Sequence, residues 1–403
     1  MATMDHVRYL AETIGPRGST TPQEEEAAQY AARVLREAGH APVSEAFRSA
    51  RSAWYPSALF GGLVLSAVIT FWVGGRPGAI VALALAVLAI ASILLELAFR
   101  PNPLRWLLPT GPSQNVWARI PPRHEPREQV VLLGHLDSHR TPLVFSSDRW
   151  QRVFRILVPV GLVSALLLVV LLAVGIFTPS LVWRLLSLPP ALAVLGLLAI
   201  TLQADGTPYT AGANDNATGA AVVLELAERL AREPLAHTAV WAVLTGCEEV
   251  GCYGADAFAR AHKDELGRAI WIPVDSVGGA GGRPSYVTSE TFLLTARSDP
   301  GLIAAAERVA RTHPELDVGA DTYDVGAYTE GSIGAKHGFR VLTLLALHDG
   351  APGEWHRPTD TVENVDPDVV ARSEAFTWAL LHEIDGQEGP LNPTDPPPGK
   401  IRW

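Results

Sequence analysis

Gln129-Val130-Val131-Leu132-Leu133-Gly134-His135-Leu136-Asp137-Ser138 is an apolar run that ends in polar residues, and its reading decides the fold. A continuous apolar stretch of this length marks a strand buried on both faces, as in the parallel part of an α/β sheet. Alternation along a strand puts His135 and Asp137 on one face, where Asp137 can orient the imidazole as a supporting carboxylate. Working outward, Gly212-Ala213-Asn214-Asp215-Asn216-Ala217-Thr218-Gly219 is a glycine-flanked turn running into a periodic helix from Ala220 to about Arg232. A second apolar strand, Thr238 to Thr245, delivers Glu248 and Glu249 within Gly246-Cys247-Glu248-Glu249-Val250-Gly251, and a third, Ala269 to Val274, ends on Asp275. Four polar segments are therefore expected at the carboxyl ends of strands, where open α/β sheets place their sites.

These residue types belong together chemically. Two divalent ions about 3.5–4 Å apart can activate a shared water and clamp both oxygens of a tetrahedral intermediate, given imidazole and carboxylate ligands and one ligand that bridges. His135, Asp215, Glu249, Asp275 and His356 would supply that shell, the last within Trp355-His356-Arg357-Pro358-Thr359-Asp360-Thr361. Glu248 is left over as general base: of two adjacent carboxylates at a strand end, one can ligate while the other moves protons.

The order of these blocks resembles the co-catalytic di-zinc aminopeptidase family, of the bacterial leucyl aminopeptidase and aminopeptidase Y type. Its blocks read roughly Gly-His-x-Asp-Ser, Gly-Ala-x-Asp-x-x-x-Gly, Glu-Glu-x-Gly, Asp, and a late His before Asp-Thr. The resemblance covers about residues 1 to 55, 103 to 140 and 205 to 385, including a leading helix rich in Glu and Ala. It implies an α/β fold, a three-layer αβα zinc-peptidase domain with a mixed sheet, holding two zinc ions. His135 and Asp275 would hold one, Glu249 and His356 the other, with Asp215 bridging, Glu248 the base, and a cis peptide after Asp215. The implied reaction is hydrolysis of an amino-terminal peptide bond in a peptide substrate. Side-chain preference would come from loops such as 323 to 332. Relatives often carry a tyrosine before the late histidine, whereas Trp355 offers only an indole N–H, which leaves open whether Trp355 or Tyr323 assists the oxyanion. An amide hydrolase or cyclase on the same scaffold would keep these residues. A non-catalytic membrane scaffold would be expected to lose some of them, and this chain has lost none.

The stretch between Asp137 and Asp215 is far longer than the family's usual loop, and its contents are apolar. Four runs lack charge: Pro56 to Gly75, Ala79 to Leu95, Ile156 to Ser180 and Leu185 to Ala204. Each approaches or exceeds the roughly 17–25 residues that cross a bilayer as a helix. Core helices of a large soluble protein usually carry a polar stripe, and these show almost none. The reading is two transmembrane helical hairpins, 56–99 and 153–204, inserted into a peptidase domain made of 1–55, 100–152 and 205–385. Pro189-Pro190 predicts a kink or a late helix start in the fourth run. Glu96 and Arg184, at run ends, read as interfacial or capping residues. Arg48, Arg51, Arg100, Arg105, Arg149, Arg152 and Arg155 flank the runs on the domain side, against Arg76 and Arg184 in the opposite turns. The positive-inside rule then makes the catalytic domain cytoplasmic. Met1 to Arg8 shows no basic segment followed by an apolar core, so no secretory signal is expected. Since His135 and Asp215 flank the second hairpin in sequence, a site near the bilayer surface, favouring hydrophobic or membrane-anchored substrates, is a further expectation.

Composition agrees. Of 403 residues 48% are hydrophobic and 18% charged, which suits a domain with a membrane insert. A net charge of −10 gives no nucleic-acid footprint. Cys247 and Cys252 read as reduced packing thiols, since two cysteines build neither a disulfide scaffold nor a thiolate zinc site. Residues 386–403, rich in proline, read as a disordered tail. Histidines outside the matched blocks, His6 among them, read mostly as surface residues. His139 would join the ligand face only if its strand continued. Oligomeric state is not legible.

Overall fold

The computed structural model describes residues 2–387 other than Pro101, Leu293 and Val325; the expected tail beyond 387 lies outside the described residues. The chain divides into two compact units, one made of Met1–Arg51, Gly111–His139 and Tyr209–Trp403, the other of Ser52–Thr110 and Arg140–Pro208.

The first unit is α/β, with a mixed sheet between helices. Its strands are β1 (Val43–Ala50), β2 (Thr110–Ile120), β3 (Glu128–His135), β4 (Thr238–Thr245), β5 (Ile270–Pro273), β6 (Arg283–Thr291), β7 (Thr295–Arg297), β8 (Gly319–Tyr323), β9 (Arg340–Val341), β10 (Leu344–His348) and β11 (Ala351–Pro352). Six form one sheet in the order β1-β2-β4-β3-β5-β9, in which β4, β3, β5 and β9 run parallel and β2 lies antiparallel to β4. A second sheet, β11-β10-β6-β7 with β8 beside β6, is joined to the first through the bridge of Val274 to Leu344.

In chain order the helices are α1 (Thr3–Arg8), α2 (Pro22–Glu37), α3 (Tyr55–Val73), α4 (Gly75–Leu97), α5 (Asp148–Phe177), α6 (Leu181–Leu186), α7 (Leu188–Asp205), α8 (Gly219–Arg232), α9 (Tyr253–Leu266), α10 (Pro300–Thr312), α11 (Glu330–His337) and α12 (Pro367–Asp385). Strand parity sorts the core into two faces. Val130, Leu132, Val240, Ala242, Ile270 and Ile272 share one buried cluster with α2, α8, α10 and α12. Trp241 and Trp271 point the other way, onto Phe258 of α9, and Gly334 of α11 packs on Trp271. Gly134 is required by this layering: a Cβ there would lie 2.9 Å from the backbone nitrogen of Ala220, so only glycine lets the start of α8 sit on β3.

Three parallel strands deliver site segments as expected: β3 ends on His135, β4 precedes Glu248, and β5 precedes Asp275. The fourth segment is a correction. Asp215 is carried not by a strand end but by the turn Ala213–Thr218, after Gly212 at φ +60° and directly before α8. The Asp215–Asn216 peptide is cis.

The second unit is a helical bundle in which α3 packs on α4 and α7, and α5 on α4 and α7. Its four spans, Tyr55–Val73, Gly75–Leu97, Arg149–Phe177 and Leu181–Asp205, are long and apolar enough to cross a membrane. The fourth breaks at Ser187, after which α7 starts with Pro189 and Pro190 in its first turn, where a missing N–H costs no helical bond. Its interior is apolar, Phe60, Val64, Leu168 and Val194 being buried together. Large apolar side chains also point outward, Ile69, Val163 and Leu192 each more than 60% exposed, a surface that calls for an apolar surrounding. Glu96 is satisfied inside this unit by an ion pair with Arg105 and a hydrogen bond from Asn102 Nδ2 at 2.7 Å.

Candidate metal centre

All seven residues singled out by motif meet in the first unit. His135, at the end of β3, is 1% exposed. Its Nδ1 lies 3.1 Å from the carbonyl oxygen of Asp137, which assigns the ring proton to Nδ1 and leaves a lone pair on Nε2. That lone pair faces Asp215 Oδ1 at 3.2 Å and Asp275 Oδ1 at 3.7 Å, and Nε2 has no hydrogen-bond partner. On the other side His356 Nε2 lies 3.3 Å from Asp215 Oδ2 and 3.2 Å from Glu249 Oε2. The two oxygens of Asp215 thus face two different imidazoles, the arrangement of a bridging carboxylate.

A lone pair aimed at buried carboxylates is repulsive unless a cation lies between them. Two ligands of one tetrahedral zinc, each about 2.0–2.1 Å from it, stand about 3.3–3.4 Å apart, close to the separations found here. Two sets of donor atoms converge: His135, Asp215 and Asp275 in one, and His139, Glu249 and His356 in the other. Imidazole and carboxylate donors suit zinc.

Electrostatics points the same way. Burial works against the His135 imidazolium, yet Asp137, Asp215 and Asp275 together carry its pKa well above the usual value. Burial, reinforced by Glu249 and Asp275, pushes Glu248 well up, with His135 opposing. Glu249 is likewise raised by burial and by Asp215. Asp215 is held well below the carboxylate range because the two imidazoles outweigh its burial. Bound cations would favour the ionised form of all these carboxylates.

The Glu248–Glu249 loop is held from beneath. Asp137, expected to orient His135 through its carboxylate, faces Nδ1 with its backbone oxygen at 3.1 Å and with its Oδ1 at 3.5 Å. Its carboxylate accepts from the backbone N–H of Glu248 at 3.0 Å, from that of Glu249 at 3.1 Å, and from Ser19 Oγ at 2.6 Å. The thiol of Cys252 donates to Glu248 Oε1 at 3.0 Å, which fixes one oxygen of that carboxylate. Asp360 accepts the N–H groups of Asn214 at 2.6 Å and Asp215 at 3.2 Å, and burial beside Asp215 lifts its pKa to about 7. Asn216 accepts from Gly219 N and Ser276 N, which ties the Asp215 turn to the segment after Asp275.

Several contributors escaped the motifs. Arg17 is fully buried and donates to the carbonyls of Leu136, Leu10, Gly15, Ala211 and Gly212, at 2.7–2.9 Å. Burial lowers its pKa only to about 10, so it remains a cation beneath the acidic centre. Glu24, 1% exposed, accepts from Cys247 N at 2.8 Å and Ser113 Oγ at 2.9 Å. In sequence Thr21-Pro22-Gln23-Glu24 reads as an ordinary helix start, which hides the second role of Glu24. His139 does reach the centre although β3 ends at His135: its ring stacks on that of His356 at 3.6 Å and 10°. Two parallel rings so stacked cannot both aim in-plane lone pairs at one ion, so His139 in this pose braces His356. Tyr323, at the end of β8, is 3% exposed; burial and the charges of Asp275, Asp215 and Glu248 keep its hydroxyl protonated well beyond its usual range.

Residues 200–381 match the family described as Peptidase family M28, a co-catalytic zinc peptidase family, in agreement with the resemblance read from the motifs. Among solved structures, the chain is similar to a leucine aminopeptidase precursor from Bacteroides thetaiotaomicron VPI-5482, at 12% identity and TM-score 0.55, covering 94% of this chain and 95% of that one. It is similar to BSAP, a zinc aminopeptidase from Bacillus subtilis, at 13% identity and TM-score 0.55 over 94% of each chain. It is also similar to a Bacteroides thetaiotaomicron glutaminyl cyclase bound to N-acetylhistamine, at 12% identity and TM-score 0.54, covering 94% and 96%. At such identities the likeness is one of fold.

Proposed function

From the match of residues 200–381 to Peptidase family M28, we propose that this chain is a membrane-anchored zinc aminopeptidase with two ions. One observation carries the reading: the carboxylate of Asp215 presents one oxygen to His135 and the other to His356, with Glu248 beside them and bound to neither. His135, Asp215 and Asp275 would hold one zinc, and Asp215, Glu249 and His356 the other. When bound, the ions supply a polarised carbonyl and a water of lowered pKa. Glu248 takes the water's proton and passes it to the leaving amine, a role suited to a carboxylate that lies beside the ligands and is held by Cys252. To Tyr323 we assign the O–H that assists the carbonyl oxygen, since Trp355 has only an indole N–H.

The test pairs metal analysis with product analysis. The full-length protein in detergent, supplied with zinc, is incubated with a panel of short peptides that includes one beginning with glutamine. Release of free amino acid with about two zinc equivalents is expected. Loss of ammonia from the glutamine peptide, with no amino acid released, would replace peptidase by cyclase. No turnover with both ions bound would overturn both.

The four apolar spans support a multi-pass membrane location, and the arginine asymmetry supports a cytoplasmic catalytic domain. Tags at the amino terminus and after Trp403 should then both be cytoplasmic, and single cysteine probes beside Arg76 and Arg184 should react with impermeant reagents from outside. Probes protected from outside labelling, with tags accessible there, would reverse the orientation and leave the chemistry untouched.

A further inference from the structure

Away from the centre, the first unit contains another convergence of ligand-type side chains. His6, expected at the surface, is 0% exposed on α1. Its Nδ1 lies 2.6 Å from Tyr30 Oη on α2. Its Nε2 is buried without a hydrogen-bond partner and faces Glu228 Oε1 at 3.8 Å. Glu225 and Glu228 stand three residues apart on α8, so they share a face. One donor atom from each of the three residues lies within 4.8 Å of the others.

Either tautomer of His6 leaves Nε2 unsatisfied on its own. A proton there would be too far from the Glu228 oxygen for a hydrogen bond, and a lone pair there would face carboxylates. We propose that His6, Glu225 and Glu228 form a zinc-type divalent-cation site, separate from the catalytic centre, that staples α1 to α8. A cation resolves the conflict: Nε2 gives its lone pair to the ion while Nδ1–H donates to Tyr30 Oη, the partnership that ligating histidines usually make through their second nitrogen. Glu225 and Glu228 supply carboxylate oxygens beside the imidazole. One imidazole among the donors favours zinc-like ions over calcium or magnesium, which prefer all-oxygen shells. Glu228, 15% exposed, leaves room for water to complete the shell. The staple would act on stability, by tying α1 to α8.

The experiment is a zinc titration of the full-length protein in detergent, reading bound metal and thermal unfolding together. Wild type should bind one equivalent more than His6→Gln or Glu228→Gln, and only wild type should gain thermal stability as that last equivalent fills. Tyr30→Phe should keep the equivalent but weaken it by about 10–100-fold. Peptide hydrolysis should be the same in all of them. The readout is a difference between wild type and variant, so it does not depend on how many ions the catalytic centre holds. Should His6→Gln fail to fold, Glu225→Gln, which alters a partly exposed side chain, gives the same comparison. Equal zinc uptake by wild type and the glutamate variants, or an equivalent unaffected by Tyr30→Phe, overturns the site.

Discussion

Glu248→Gln is expected to lower turnover by about 10²–10⁴-fold or more while metal content stays that of wild type. The amide keeps the shape of the side chain and can still accept from Cys252 Sγ, so the loop should hold its place. What it loses is the capacity to take a proton from water. Glu249 is the contrasting case, since its Oε2 lies 3.2 Å from His356 Nε2 and its replacement should release zinc. Turnover is read with a chromogenic aminoacyl substrate and zinc by elemental analysis of the same preparation. Zinc lost from Glu248→Gln but retained by Glu249→Gln would mean that the two roles are exchanged.

The second large effect belongs to a residue outside every motif. Arg17→Met should destabilise the protein by about 3–5 kcal/mol, the cost of breaking a buried, fully bonded charge. Five carbonyls would lose their donor, from Leu10 and Gly15 nearby and from the segments carrying His135 and Asp215. The cluster of Asp137, Asp215, Glu249 and Asp360 would also lose the cation that offsets it. Arg17→Lys should recover only part, because an ammonium offers three donors from one point and cannot reproduce the planar fork. Denaturant unfolding measures the loss, and chelator competition measures zinc affinity, expected to fall in both variants. A methionine variant within about 0.5 kcal/mol of wild type would show that Arg17 is an ordinary surface-like position.

The candidate site residues were legible because their signals are local. His135, Asp215, Glu248, Glu249 and Asp275 each sit in or just after an apolar strand or a glycine-bracketed turn, and strand alternation needs no knowledge of the rest of the chain. The sheet's parallel core follows from the same runs: β3, β4 and β5 fall within the stretches read as buried strands. The turn around Asp215 and the helix after it were legible from the flanking glycines, but its grouping with the strand ends was not, since the turn is held by Asp360, Asn214 and Asn216 rather than by a ladder.

What the sequence by itself determined is therefore of two kinds. Hydropathy is additive along a helix, so four spans able to cross a membrane, and the break before Pro189, were readable without neighbours. The residue types of the candidate metal centre were readable because chemistry restricts ligands to a short list. Only the tertiary structure decided which oxygen of Asp215 meets which histidine, that Asp137 holds the Glu248 loop as well as serving His135, and that His139 stacks on His356. It alone buried His6, Arg17 and Glu24. The reason is range: Arg17 bonds Gly212 across 195 residues, and Glu24 bonds Cys247 across 223. No periodicity or motif encodes such pairs, because burial of a charged side chain becomes tolerable only after distant backbone groups have been folded around it to satisfy it.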